Sequence, residues 1–307
     1  MISVEHLTKR YGDFTAVDDL SFEIDEGHVY GFLGPNGAGK TTTMNILTGC
    51  LSATAGSARI NGYDIFEEPD KAKRLIGYLP EQPPLYMTET PAEYLRFVGE
   101  AKGLRGTALL QQIDEVIGQT KIVDVKNRRI SDLSKGYRQR VGIAQALIGN
   151  PKVIILDEPT VGLDPIQIIE IRALIQELGC HHTVIFSSHI LSEVQAICDR
   201  ILIISKGRLI AFDDSQNMEK RLLASNEIVL TADADAQETE QILSGIEQIV
   251  DMSIETGDVG YARVHLKTDC EDIYEVSRAV FQAFALQGRA LLEMSLKKRI
   301  WKRYLSS

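Results

Sequence analysis

The residues Gly34-Pro35-Asn36-Gly37-Ala38-Gly39-Lys40-Thr41-Thr42 are the stretch whose types and spacing most directly imply chemistry. They fit the phosphate-loop pattern GxxxxGK[ST], in which glycines let consecutive backbone N–H groups turn inward around anionic oxygens. A helix starting there adds its unsatisfied donors and partial positive charge. In that pattern Lys40 reaches the β- and γ-phosphates of a nucleoside triphosphate, and the Thr41 hydroxyl holds Mg²⁺. A second set of groups lies far downstream. Asp157-Glu158 ends the apolar run Val153-Ile154-Ile155-Leu156. A carboxylate there serves as a Mg²⁺ ligand, directly or through water, and its neighbour can take a proton from an attacking water. His189 follows a third apolar run, Thr183 to Phe186, and is placed to meet a γ-phosphate.

Such groups work only if the elements beneath them bring them to one edge. Val29-Tyr30-Gly31-Phe32-Leu33 reads as a buried strand before the loop, and Thr43-Met44-Asn45-Ile46-Leu47 as the first turns of a helix after it. The runs at 153–156 and 183–186 read as further buried parallel strands, and ligands in open α/β sheets bind beyond the carboxyl ends of strands. Upstream, Ile2 to Ile24 carries period-2 segments expected to be antiparallel strands. Tyr11-Gly12 lies between them, and Tyr11 is either a packing residue or a stacking platform for a base.

After the loop and its helix come strand-like Ala58-Arg59-Ile60, a turn at Asn61-Gly62 and a strand at Ile76-Gly77-Tyr78-Leu79. Pro80-Glu81-Gln82-Pro83-Pro84-Leu85-Tyr86 excludes regular structure. Helical patterning begins at Thr90, persists from Leu109 to Val125 and returns over Arg138 to Ile148. Residues 83–150 therefore read as a helical subdomain inserted into an α/β core, with Ser134 placed to cap its last helix. Gly162-Leu163-Asp164-Pro165 reads as a turn and cap opening the helix Ile166 to Leu178. His181-His182 is expected to be a solvated loop on the opposite edge from His189. Ile201 to Phe212 reads as a closing hairpin around Lys206-Gly207.

The 307 residues exceed what one core usually holds, so two domains are expected, 1–220 and 221–307. Beyond Arg221 the order of elements is βαββαβ, that of a small α+β, ferredoxin-like unit. At the C-terminus Ser295 is expected to cap a basic amphipathic helix over Leu296 to Leu305, with Trp301 among its apolar residues. A net charge of −10 argues against a nucleic-acid partner, which demands a basic face. The four cysteines show no metal or disulfide spacing and read as buried thiols in a reducing compartment. The N-terminal residues do not read as a signal peptide, and no apolar run approaches the length of a membrane span. A cytoplasmic protein is expected, with any membrane role exercised through a partner.

Tyr11, the phosphate loop, Leu133-Ser134-Lys135-Gly136, Ile155-Leu156-Asp157-Glu158-Pro159, Gly162-Leu163-Asp164-Pro165 and Ser187-Ser188-His189 occur in one order and spacing. Over residues 1 to about 215 this set resembles the ATP-binding subunits of ATP-binding cassette (ABC) transporters, most closely the drug-, polymer- and motility-associated exporters whose permease is a separate chain. The resemblance implies a P-loop NTPase cassette with a mixed sheet and helical subdomain, binding ATP and Mg²⁺. It further implies a head-to-tail dimer with a second copy or a homologous cassette. Ser134 and Gly136 of one chain would then face the ATP held by the other chain's loop (Gly34 to Thr42). An integral membrane permease would place the chain at the inner face of the cell membrane. Lys40, Glu158 and His189 carry the catalytic roles in that scheme, Tyr11 the base, and Thr41 and Asp157 the metal. Two positions depart from the family pattern. Lys135 and Tyr137 alter the usual LSGGQ, and Pro80-Glu81-Gln82 leaves open whether Glu81 or Gln82 is the further metal ligand. Rival classes are a cassette ATPase acting on ribosomes or DNA, and a regulatory nucleotide-binding module without turnover. One cassette without heptads and an acidic balance speak against the first, and the presence of Glu158 against the second.

Overall fold

The computed structural model describes residues 2–218, 226–256, 260–268, 270 and 272–298. The chain divides into two compact units, Met1–Ser215 and Gln216–Ser307, so the division falls ahead of the expected boundary at 220.

In the first unit, β1 (Ile2–Tyr11) and β2 (Phe14–Ile24) pair antiparallel, with Ile2 opposite Ile24 and Val4 opposite Phe22. Burial alternates over Ile2 and Val4 of β1 and over Leu20, Phe22 and Ile24 of β2, and shifts of register break the period elsewhere. After β3 (Val29–Leu33) and α1 (Lys40–Leu47), β4 (Ala55–Ile60) and the short β5 (Tyr63–Asp64) join that sheet in the order β2-β1-β4-β5. Asn61 and Gly62, both at positive φ, make the tight turn between its last two strands. Next comes α2 (Pro69–Arg74), which sequence reading missed: its six residues contain a single buried position, Ala72, so no apolar period announces it.

The second sheet is built from β3, β6 (Ile76–Leu79), β7 (Val153–Leu156), β8 (Thr183–Ser188), β9 (Arg200–Ser205) and β10 (Arg208–Asp214). Its order is β10-β9-β3-β8-β7-β6, parallel except for the β9–β10 hairpin. Every residue of β3, β7 and β8 is buried, which is why these strands read as unbroken apolar runs. Tyr30, Phe32, Met44, Ile46, Ile155 and Ile185 belong to one core with residues of the antiparallel sheet, so the phosphate loop springs from a rigid base.

Between β6 and β7 lies the helical portion: α3 (Pro91–Ala101), α4 (Gly106–Gln119) and α5 (Lys135–Leu147). A capping box starts α3, where Thr90 Oγ1 accepts from the Glu93 N–H and Glu93 Oε2 accepts from the Thr90 N–H. Helix α4 stops at Gln119 rather than running to Val125; single 3₁₀ turns at Val123–Val125 and Ile130–Asp132 fill the interval. Two helices cover the parallel sheet later in the chain, α6 (Pro165–Gly179) and α7 (Leu191–Ile197).

The second unit runs β11 (Asn226–Ala232), α8 (Ala236–Leu243), β12 (Ile249–Thr256), β13 (Ala262–Thr268), α9 (Ile273–Leu286) and β14 (Leu291–Lys298). Its antiparallel sheet has the order β12-β13-β11-β14, the arrangement expected of the ferredoxin-like βαββαβ chain. Ile228, Leu230, Val264, Leu266, Val280 and Phe284 form a core of its own.

Three expectations need correction. Ser295 caps no helix: it and Leu296 lie in β14, opposite Val229 and Ile228 of β11, where Met294 and Leu296, two residues apart, pack on the core of this unit as a strand's alternation places them. The remainder of the expected terminal helix, 299–307, lies outside the described residues, as does the helical stretch expected at 221–223. His182 is not solvated. It is buried, and its Nδ1 lies 2.7 Å from the Pro151 carbonyl oxygen; only His181 is exposed. Of the cysteines, Cys198 alone is buried, while Cys50 and Cys180 are exposed and Cys270 is half-buried.

Candidate functional site

The four parallel strands β3, β8, β7 and β6 are neighbours, and their carboxyl ends carry the phosphate loop, His189, Asp157-Glu158 and Pro80-Glu81 in turn. Register fixes this: Leu33 pairs with Ser188, Phe186 with Leu156, and Leu156 with Leu79. The Gly34 N–H donates to the Ser188 carbonyl at 3.3 Å, and the Asp157 N–H to the Leu79 carbonyl at 2.8 Å.

Close approach dictates the loop's glycines. A Cβ on Gly34 would lie 2.4 Å from the Ile204 carbonyl oxygen, and one on Gly39, which sits at φ 103°, would lie 2.5 Å from that of Ala16. Asn36, Gly37, Gly39, Lys40, Thr41 and Thr42 line an open cleft with Glu81, Glu158 and His189. Gly34 and Pro35 stand behind it, their carbonyls accepting from Lys40 Nζ at 2.8 and 3.2 Å, and Ala38 is buried beneath the loop.

Lys40 is buried, and its ammonium also lies 3.2 Å from Glu158 Oε1. The other oxygen of the same carboxylate, Oε2, lies 3.0 Å from His189 Nδ1. Glu158 thus joins the loop lysine to the histidine through one buried carboxylate. Its backbone is left-handed, with φ 47°, a conformation costing a non-glycine residue about 1 kcal/mol. The Ser187 hydroxyl holds it there by accepting the Glu158 N–H at 2.8 Å.

The same Ser187 Oγ donates to Asp157 Oδ1 at 2.5 Å. Asp157 is fully buried, and its Oδ2 has no hydrogen-bond partner. A buried carboxylate oxygen without a donor is costly unless a cation meets it. With the Thr41 hydroxyl exposed in the cleft, this hard-oxygen donor set fits Mg²⁺.

Not every residue singled out from sequence joins the cleft. Glu81 lines it and Gln82 does not. Tyr11 stands at the end of β1, half exposed, with Lys9 Nζ 5.2 Å from its ring centroid. Its hairpin partner Phe14 lines the cleft instead, with Ala16 and Val161, all three unnoticed in the sequence. Ser134 caps α5, accepting the Tyr137 N–H at 3.3 Å. Together with Gly136 it lines a different cavity, alongside Tyr137, Arg140, Asp164 and Gln167. Tyr137, the departure from the usual signature, donates its hydroxyl to Asp124 at 2.7 Å, and this bond raises its pKa.

Comparison with known proteins agrees with this geometry. The ABC transporter family profile matches residues 17–161. The ABC transporter ATP-binding protein YhcH of Bacillus subtilis is 42% identical over 230 residues, 74% of this chain and 73% of that protein. The chain belongs to the ABC transporter ATP-binding subunits. Another relative of this cassette is the bacitracin transport ATP-binding protein BcrA of Bacillus licheniformis, 38% identical over 72% of each chain. Among solved structures, a dimeric ATP-binding cassette in a post-hydrolysis state bound to ADP and Pi superposes with a TM-score of 0.64. It is 26% identical, over 70% of this chain and 99% of that one. The cassette is therefore an ABC ATPase that binds ATP, with the P-loop NTPase fold expected from its sequence.

Proposed function

We propose that this cassette hydrolyses MgATP to drive an exporter, working as a pair of chains beneath a separate membrane permease. The observation that carries the reading is Glu158, whose carboxylate sits between Lys40 and His189 beside the unpartnered oxygen of Asp157. The loop N–H groups and the α1 terminus bind the phosphates, and Lys40 turns from Glu158 to their charge. Released from that pairing, Glu158 accepts the proton of the attacking water. His189 contacts the γ-phosphate and orients Glu158 through Nδ1. Thr41 and Asp157, with Glu81 facing the cleft, hold Mg²⁺, which when bound neutralises charge on the phosphates.

The second cavity supports the pair of chains. Ser134 and Gly136 stand at a helix N-terminus, an anion site, yet line a cavity other than their own chain's phosphate-loop cleft. A head-to-tail partner brings one against the other, as two copies of this chain or as this chain and a homologous cassette. Tyr11 and Phe14 supply the ring faces for the base. No helix among the described residues is long and apolar enough to cross a membrane, so transport requires a permease. The bacitracin relative supports the exporter branch, and the chain is then peripheral to the inner face of the cell membrane.

Glu158→Gln tests the reading. The amide keeps the shape and cannot take the proton, so ATP binding persists, phosphate release stops and an ATP-bound dimer accumulates. Light scattering with ATP and Mg²⁺ measures the dimer. Undiminished phosphate release by the variant would remove Glu158 as the base.

A further inference from the structure

Behind the cleft lies a buried carboxylate that the proposed mechanism leaves unused. Glu193, in α7, is only 3% exposed. Its Oε2 accepts from two hydroxyls, Thr160 Oγ1 at 2.8 Å and Ser188 Oγ at 2.9 Å. Its Oε1 lies 3.5 Å from a guanidinium nitrogen of Arg172, in α6. The Nε of Arg172 is itself buried without a partner, so Glu193 is the charge that keeps this arginine tolerable.

The two hydroxyls belong to the two segments that must meet in the site. Thr160 stands two residues after Glu158, on the turn closed by the Val161 N–H to the Glu158 carbonyl at 3.2 Å. Ser188 immediately precedes His189 and also accepts the Ile190 N–H at 3.0 Å, so it braces the chain on both sides of the histidine. One oxygen atom therefore ties the Glu158 segment to the His189 segment from the rear. In front, the same segments meet in the 3.0 Å contact between Glu158 Oε2 and His189 Nδ1. Ordinary packing does not ask for a buried charge here. Apolar side chains in place of the carboxylate and the arginine together would fill the space at less desolvation cost.

We propose that Glu193 is a positioning residue for hydrolysis, setting the separation of Glu158 and His189 through Thr160 and Ser188, with Arg172 holding its carboxylate in place. The inference rests on the assignment of Glu158 and His189 to the hydrolytic step. A carboxylate fits and an amide does not. Two hydroxyls and a guanidinium all donate, whereas a glutamine would turn its NH₂ on one of them.

The test compares kcat with ATP affinity in the full chain. Glu193→Gln lowers kcat about tenfold or more, because small misplacements of reacting groups are costly, while the calorimetric Kd for ATP stays within about twofold of the parent. Thr160→Val and Ser188→Ala each lower kcat several-fold with the same split. Adding Thr160→Val to Glu193→Gln costs no more than Glu193→Gln alone, since both cut one connection. Glu193→Asp, which keeps the charge, recovers part of the lost kcat. Full kcat in Glu193→Gln, or a kcat that falls only in step with ATP affinity, overturns the inference. Should Glu193→Gln fail to fold, the two hydroxyl variants decide it on the same measurements, and full kcat in both overturns it. A parent protein without turnover would instead overturn the proposed hydrolytic function, so the two failures are distinguishable.

Discussion

At the scale of single residues, the site turns on two side chains that each answer to two neighbours. Glu158 contacts Lys40 and His189, and Ser187 bonds both Asp157 and the Glu158 backbone. The identities of Lys40, Asp157, Glu158 and His189 were legible because each stands at the end of an apolar run or inside a spaced motif. Ser187, although part of the Ser187-Ser188-His189 motif, and Glu193 were assigned no roles, because their work is a contact across the fold that spacing along the chain does not display. Glu81 and Gln82 mark the limit most plainly. Adjacent residues after a strand point in different directions, and only the structure tells which one faces the cleft: Glu81. Glu81→Ala is accordingly expected to raise the Mg²⁺ concentration needed for half-maximal turnover, while Gln82→Ala leaves it unchanged. Titrating Mg²⁺ against phosphate release checks this, and the reverse ranking would return the role to Gln82.

Among elements, buried parallel strands were the easiest to read and pattern-poor segments the hardest. The runs 153–156 and 183–186 are as apolar as strands covered on both faces must be. Helix α2 offered one buried residue, and β14 alternated within a sequence that also satisfied a helical face. The residue just before β8 shows how an element's start can set a pH response. Burial pushes His182 below its ordinary value of 6.5, the Pro151 carbonyl partly offsets this, and His181 adds to the depression. The unfolded chain then takes up a proton near 6.5 that the folded chain refuses until lower pH. Stability is thus fully present above that value and erodes as pH falls through it. His182→Gln is expected to lose less stability than the parent between about pH 7 and about pH 5, read from urea midpoints. An identical loss in both would show that other groups govern the acid limb.

On the scale of the whole molecule, each unit has an apolar core of its own, and the cassette carries the phosphate-loop cleft and the Ser134 cavity. The ferredoxin-like unit has its own apolar core, so ending the chain at Ser215 should leave ATP affinity within about twofold of the parent by calorimetry. A large loss would tie the second unit to the nucleotide site. The order of its strands was legible because βαββαβ admits few foldings, whereas the place where the first unit ends was not, since no run of Gly, Pro or Ser marks it. The phosphate-loop cleft and the Ser134 cavity together lead somewhere less obvious. In the proposed head-to-tail pair, a chain offers its phosphate loop to one site and its Ser134 cap to the other, and so contributes half of each. Inactivity at either half is therefore complementable in the geneticist's sense. Lys40→Ala and Ser134→Arg chains, each inert alone, rebuild one intact site whenever they pair, from the loop of the second and the cap of the first. Mixed at equal amounts they should regain a fraction of parental phosphate release that neither shows by itself. Two Lys40→Ala preparations mixed together, by the same logic, stay silent.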